Sequence, residues 1–207
     1  MNEITSFHLD VLKEIGNIGA AHAATALSSL LNTKIDMSVP SVEMVTFDEM
    51  VERGGGAEKV VAGTYLQIDG DAQGGMFFIL PVEQANHFIR RLIQDENFDL
   101  QKPENSELGI SAMLELGNIL SGSYLSALSD FTSLKIYPTP PELSVDMFGA
   151  IISFGLIELS QVSDQVIVID TTIFEESMSR EEQVNGHFFL LPNPESFKAI
   201  FRALGVE

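Results

Sequence analysis

The 207-residue chain has no cysteine, which excludes disulfides, thiolate metal sites and thiol nucleophiles together. Positive charge is scarce, with 11 Lys and Arg against 30 Asp and Glu and a formal charge of −19. The resulting pI near 4.3 sets long-range repulsion against nucleic acid or anionic lipid as a main partner. Long apolar runs are also missing. The longest, at 76–81 and 147–152, fall far short of the roughly 20 residues that span a membrane. From Phe7 onward the apolar residues alternate with His8, Asp10, Lys13 and Glu14, so no targeting segment stands out and a soluble, cytoplasmic protein is expected. No Gly-x4-Gly-Lys-[Ser/Thr] loop and no Gly-x-Ser-x-Gly elbow occurs, and Gly54-Gly55-Gly56 runs into Ala57-Glu58 rather than a phosphate-binding turn. The histidines, His8, His22, His87 and His187, lack ligand-like spacing, so no metal or cofactor held by this chain is expected.

What is present suits a folded domain. Hydrophobic residues make up 45% of the chain and mean hydropathy is +0.17, enough for a sizeable core. The acids are scattered among apolar residues rather than blocked, which reads as a solvated surface. The aromatic residues are 14 Phe and 3 Tyr, more naturally core than a nucleobase platform at this charge.

Leu9, Leu12, Ile15 and Ile18 recur every three residues and run into an Ala-rich stretch at 20–31, predicting a long helix with Ser6 as its cap and Asn32-Thr33 as its stop. Strand-like segments follow at 34–47, with Pro40 inside, then at 60–68 and 75–80, before a helix at 82–94. The polar stretch 95–104 contains Pro103 and is the best candidate linker. The order then restarts. A long helix is expected over 107–129, capped by Asn105 or Ser106, with strands at 134–137, 150–159, 166–174 and 187–191 and a last helix at 195–204.

The restart is an internal repeat. Glu14-Ile15-Gly16-Asn17-Ile18 returns as Glu115-Leu116-Gly117-Asn118-Ile119, an offset of 101, and Pro40 returns as Pro141. Gly75-Met76-Phe77-Phe78-Ile79-Leu80-Pro81 returns as Gly186-His187-Phe188-Phe189-Leu190-Leu191-Pro192, an offset of 111. Two units of about 100 residues are each small enough to gain from a shared core. The expected fold is therefore α/β (α+β): one domain over 1–207, built from pseudo-twofold-related halves at about 1–98 and 103–207. Each half reads helix, strands, helix; the two share one β-sheet and carry their long motif helices on its surface.

Asp10, Glu14 and Asn17 fall at i, i+4 and i+7 of the first helix, on one stripe, and Ser111, Glu115 and Asn118 repeat that stripe in the second. Asn next to Gly is costly inside a helix, and both copies accept the cost. One Glu-x-x-Asn alone carries almost nothing, since a polar helix stripe is usually a solvated face. Two copies that share [Asp/Ser]-x3-Glu-x2-Asn and then 22 residues to a Pro carry more, although a shared structural role would also explain them.

That pattern, at Asp10, Glu14, Asn17 and Pro40 and again at Ser111, Glu115, Asn118 and Pro141, resembles the CheC/FliY/CheX family of chemotaxis phosphatases, and the resemblance runs the length of the chain. It implies a CheC-like domain that hydrolyses the aspartyl phosphate of the response regulator CheY. In that reading Asn17 or Asn118 orients the attacking water, and Glu14 or Glu115 grips a cation of the regulator, its active-site Lys. The Mg²⁺ would belong to the regulator. Asp10 and Ser111 would support or cap the motif, and Pro40 and Pro141 would fix a strand edge or bend. The resemblance also implies pairing with the receptor deamidase CheD, for which Asp146 is a candidate contact; the alternative is an ordinary exposed acid near a turn. The competing function is a non-catalytic binding or flagellar-switch module of the same fold, whose known examples lack the Glu–Asn pair. Nucleic acid and membrane insertion are not expected, and a monomer is.

Overall fold

A computed structural model describes residues 5–102, 107–159, 165–176 and 183–205. The chain runs α1 (Ser6–Leu31), β1 (Ile35–Ser38), β2 (Val42–Thr46), α2 (Phe47–Arg53), β3 (Val60–Gly70), β4 (Gly74–Pro81) and α3 (Val82–Ile93). The same order then recurs as α4 (Glu107–Thr132), β5 (Ile136–Pro138), β6 (Glu142–Met147), α5 (Phe148–Leu159), β7 (Gln165–Glu175), β8 (Val184–Pro192) and α6 (Pro194–Ala203).

The eight strands among the described residues form one antiparallel sheet with a central order β1-β7-β8-β4-β3-β5, β2 adding to β7 and β6 to β3. The pairing crosses between the halves. β1 and β2 of the first half hydrogen-bond to β7 of the second, and β5 and β6 of the second bond to β3 of the first. At the centre β4 meets β8, with Phe77 opposite Phe189 and Phe78 opposite Phe188. The 111-residue offset interchanges these two pairs, so a local twofold passes between them.

Both faces of the central strands are covered, so they read as unbroken apolar runs instead of alternating ones. On one face Met76, Phe78, Phe188 and Leu190 pack with Leu12, Ile15, Leu27, Met113, Leu116 and Leu120 of α1 and α4 and with α3 and α6. On the other, Phe77, Ile79, Phe189 and Leu191 pack with Met50 of α2 and with Phe148, Ile151 and Ile152 of α5.

Several expectations need correcting. The segment 150–159 is helix, not strand: a short apolar run with β-branched residues has no period that separates the two, and α5 lays Ile151 and Ile152 on the sheet. The segment 34–47 is two strands with Pro40 between them, and α2 and β6 were not foreseen. Thr5, not Ser6, caps α1, its N–H donating to His8 Nδ1 at 2.9 Å. The stretch 95–102 is no loose linker. Phe98 and Leu100 are buried in the core, and the Leu100 N–H donates to Asn86 Oδ1 at 2.9 Å. The expected caps Asn105 and Ser106 lie outside the described residues.

Candidate functional site

α1 and α4 lie on the same face of the sheet and touch, with Gly19 against the backbone of Ser123 and Tyr124: a Cβ there would stand 3.0 Å from the Ser123 carbonyl oxygen. Each helix buries one side and leaves an outward stripe. On α1 the stripe carries Asp10 and Glu14, both exposed, and Asn17, half-buried; on α4 it carries Ser111, Glu115 and Asn118, all exposed. Neither glutamate has a hydrogen-bond or ion-pair partner among the described residues. Both carboxylates are thus open to a partner's cation.

Each stripe extends toward the helix start onto a large exposed apolar side chain. Phe7 is 61% exposed and Leu108 is 63% exposed, and the two are 101 residues apart, like the motifs. Each sits three residues before the Asp or Ser of its motif, on the same side of the helix. Sequence reading missed them, although the shared offset was there to be seen.

The glycine before each Asn has a packing reason. A Cβ on Gly117 would stand 2.6 Å from Oγ1 and 2.8 Å from Cγ2 of Thr64 on β3. One on Gly16 would stand 3.3 Å from Tyr124 and from Val39. Glycine lets α4 settle onto β3, and lets α1 approach α4 and the β1–β2 connector, at the turn that presents the Asn.

The Asn side chains themselves differ. Asn17 Oδ1 accepts the Val39 N–H at 2.9 Å, while its Nδ2 donates to the Lys13 carbonyl at 3.1 Å and reaches the Val39 carbonyl at 3.5 Å. Val39 immediately precedes Pro40, so the 22-residue spacing measures the distance from Asn17 to the connector that clasps it. Asn118 has no hydrogen-bond partner among the described residues.

The remaining residues fall as follows. Pro40 is exposed between β1 and β2, and Pro141 is half-buried just before β6. Asp10 and Ser111 are each the fifth residue of their helices, past the first turn, so neither caps; Thr5 holds that place on α1. Asp146 is exposed at the end of β6, opposite Val61, and its Oδ1 accepts the Met147 N–H at 2.7 Å. The neighbouring register pair Val60 and Met147 is exposed as well. No three Asp, Glu or His side chains converge as a metal cluster among the described residues, and no described helix is long and apolar enough to cross a membrane. A crevice lined by Leu27, Leu31, Phe88, Ile89, Ala112 and Leu116 is apolar and holds neither Glu–Asn pair.

A second polar cluster lies on the opposite face of the sheet. Asp170 of β7 accepts hydrogen bonds from Ser41, from Arg53 at 3.0 Å and from His187 at 2.8 Å, and Arg53 also pairs with Glu43. Burial pushes the Asp170 carboxyl up. Hydrogen bonds from His187 and Ser41 and the charges of His187 and Arg53 outweigh it, so the group sits below the usual carboxylate range.

Comparison with known proteins agrees with this geometry. The model of the CheC-like family matches residues 7–44 and again 108–145, one match on each motif helix and its following strands. The chain is 50% identical over 204 residues, 99% of its length and 97% of the relative's, to the CheY-P phosphatase CheC of Bacillus subtilis (strain 168). This chain belongs to the CheC-like family. Its fold is that of Thermotoga maritima FliY, with TM-score 0.77, 19% identity and 98% of both chains covered. It is also that of a chain from the CheX-CheY-BeF3-Mg+2 complex of Borrelia burgdorferi, with TM-score 0.52, 14% identity, and 84% of this chain and 96% of that one covered.

Proposed function

We propose that this chain is a phosphatase that removes the aspartyl phosphate of the chemotaxis response regulator CheY. One observation carries the reading: two outward stripes, each with an unpartnered Glu one turn before an Asn, in a chain half identical over its length to a CheY-P phosphatase. A chain of the same fold occurs in a complex with CheY, which suits a protein rather than a small molecule as substrate.

The chemistry needs no nucleophile from this chain. An acyl phosphate is already reactive, and hydrolysis needs chiefly an in-line water and stabilised charge. Asn17 or Asn118 enters beside the phosphoryl group, where its amide orients the water by both donating and accepting without titrating. Glu14 or Glu115, three residues earlier on the same stripe, holds a regulator cation, its active-site Lys, and so fixes the register of docking. Phe7 and Leu108 add apolar contact at the near end of each stripe. The Mg²⁺ of the reaction sits in the regulator's own acidic pocket, and the chain acts in the cytoplasm as a monomer.

The decisive test replaces Asn17 and Asn118 together by Ala and follows loss of phosphate from labelled CheY. The rate should fall to that of CheY alone; a parental rate would reject the assignment. The exposed Val60, Asp146 and Met147 surface is assigned to the deamidase CheD. Asp146→Lys should then abolish co-purification with CheD while leaving the phosphatase rate unchanged, and undiminished co-purification would move the contact elsewhere.

A further inference from the structure

The two motifs share their residues but not their surroundings. The Asn17 amide nitrogen donates to the Lys13 carbonyl at 3.1 Å and lies 3.5 Å from the Val39 carbonyl, and its oxygen is taken by the Val39 N–H. An amide so held has its oxygen engaged and its nitrogen turned toward its own chain, away from a substrate water. The connector that holds it is itself pinned. Ser41, two residues on, gives its hydroxyl to Asp170 and accepts the Asp170 N–H at 3.1 Å, which ties the loop to the cluster with Arg53 and His187.

In the second half the position equivalent to Val39, 22 residues beyond the Asn, is Pro140. Proline has no N–H. The bond that ends on Asn17 Oδ1 therefore cannot form on Asn118, whatever the loop does. Asn118 is exposed and without a hydrogen-bond partner among the described residues, as this predicts. The connector around it stands by other means: Thr139 donates its N–H to Gln67 at 2.9 Å and accepts the Gln67 N–H on Oγ1 at 3.0 Å.

We propose that residue 39 is a backbone latch on the first motif and that Pro140 leaves the second motif unlatched, so that Asn118 is ready for substrate while Asn17 must first be released. The inference rests on the phosphatase reading above, and it makes Val39 and Pro140 positioning residues. The first motif becomes a conditional site, open only when docking or motion of the β1–β2 connector breaks the Val39 contact. The second is available in the resting protein.

Two measurements test this. Without any regulator, the side-chain amide protons of Asn17 should exchange slowly with solvent and those of Asn118 fast. Replacing the exposed Pro140 by Ala restores an N–H without touching the core, and should slow the exchange of the Asn118 amide. With phosphorylated CheY, Asn118→Ala should cost at least about tenfold in rate and Asn17→Ala less than about twofold. Adding Pro140→Ala to Asn17→Ala should lower the remaining rate by about fivefold, the order of one hydrogen bond to be broken, through kcat and not KM. Equal exchange at the two amides, equal loss from the two single Asn variants, or no effect of Pro140→Ala on exchange or rate would each overturn the latch. The exchange measurements do not involve phosphatase activity. If the double Asn variant kept the parental rate, the functional reading would fail while they still decided the latch.

Discussion

Gly117 lies so close under Thr64 that any side chain at 117 must displace the strand or the helix. A methyl there would meet the short, branched and buried Thr64 at 2.6 Å from Oγ1, with no flexible end to swing away. At Gly16 the corresponding neighbours, Tyr124 and Val39, stand 3.3 Å off. Alanine gains about 1 kcal/mol of helix propensity over glycine, whereas overpacking costs about 1–3 kcal/mol. Gly16→Ala should therefore stay within about 1 kcal/mol of the parent in urea unfolding. Gly117→Ala should lose about 1–2 kcal/mol, and its activity should fall more than that of Gly16→Ala because the helix turn carrying Asn118 shifts.

The open carboxylates at Glu14 and Glu115 predict an electrostatic docking term. Charge reversal of both to Lys should weaken binding to phosphorylated CheY by about tenfold or more, the scale of a lost charge-assisted hydrogen bond. The defect should shrink as salt is raised. Phe7→Ser with Leu108→Ser should weaken the same binding by roughly fivefold to tenfold, with little salt dependence. Titration calorimetry at low and high salt separates the two, and unchanged affinity in either pair would remove that stripe residue from the docking face.

Asp170 predicts an acid limit to stability. Its carboxyl is held below the usual range in the folded chain, so the folded state binds fewer protons there than the unfolded state does. The stabilisation is present in full above the ordinary Asp value near ~3.9 and is lost as pH falls through the lower folded value. Asp170→Asn should cost about 2 kcal/mol at neutral pH and flatten the stability curve in the acid range. Unfolding followed from pH 7 down to pH 2 reads both effects, and a parallel curve for the variant would count against the cluster.

Much of this was legible in the chain itself, and the reasons for the gaps are physical. The period of Leu9, Leu12, Ile15 and Ile18 gave α1 closely, and the repeated Phe-Phe segments gave strands β4 and β8, because both signals are local. The segment now seen as α5 misled because Ile151-Ile152 beside Phe154 carries no helix period over so short a run. The partner of Asn17 was hidden for a different reason. Its bond ends on the backbone of Val39, and a backbone group leaves no mark on residue identity. Only the fixed 22-residue spacing hinted at it, and Pro140, in plain view beside Pro141, gained meaning once Val39 was known to donate. The crossing of strands between halves was equally invisible, since an antiparallel partner 100 residues away is set by tertiary packing and not by pattern.

That crossing has a consequence for how the chain is put together. A piece ending near residue 100 would hold α1, β1–β4 and α3, yet β1 and β2 would have no β7 to pair with, and β3 would lack β5 and β6. It would carry unpaired edges at both flanks and a bare β4 at the middle. The natural cure is a second copy of itself, each lending its first strands to the other. In assembly terms, this single polypeptide is built like a strand-swapped dimer whose two halves are tethered end to end, and the tether is what lets Val39 and Pro140 differ.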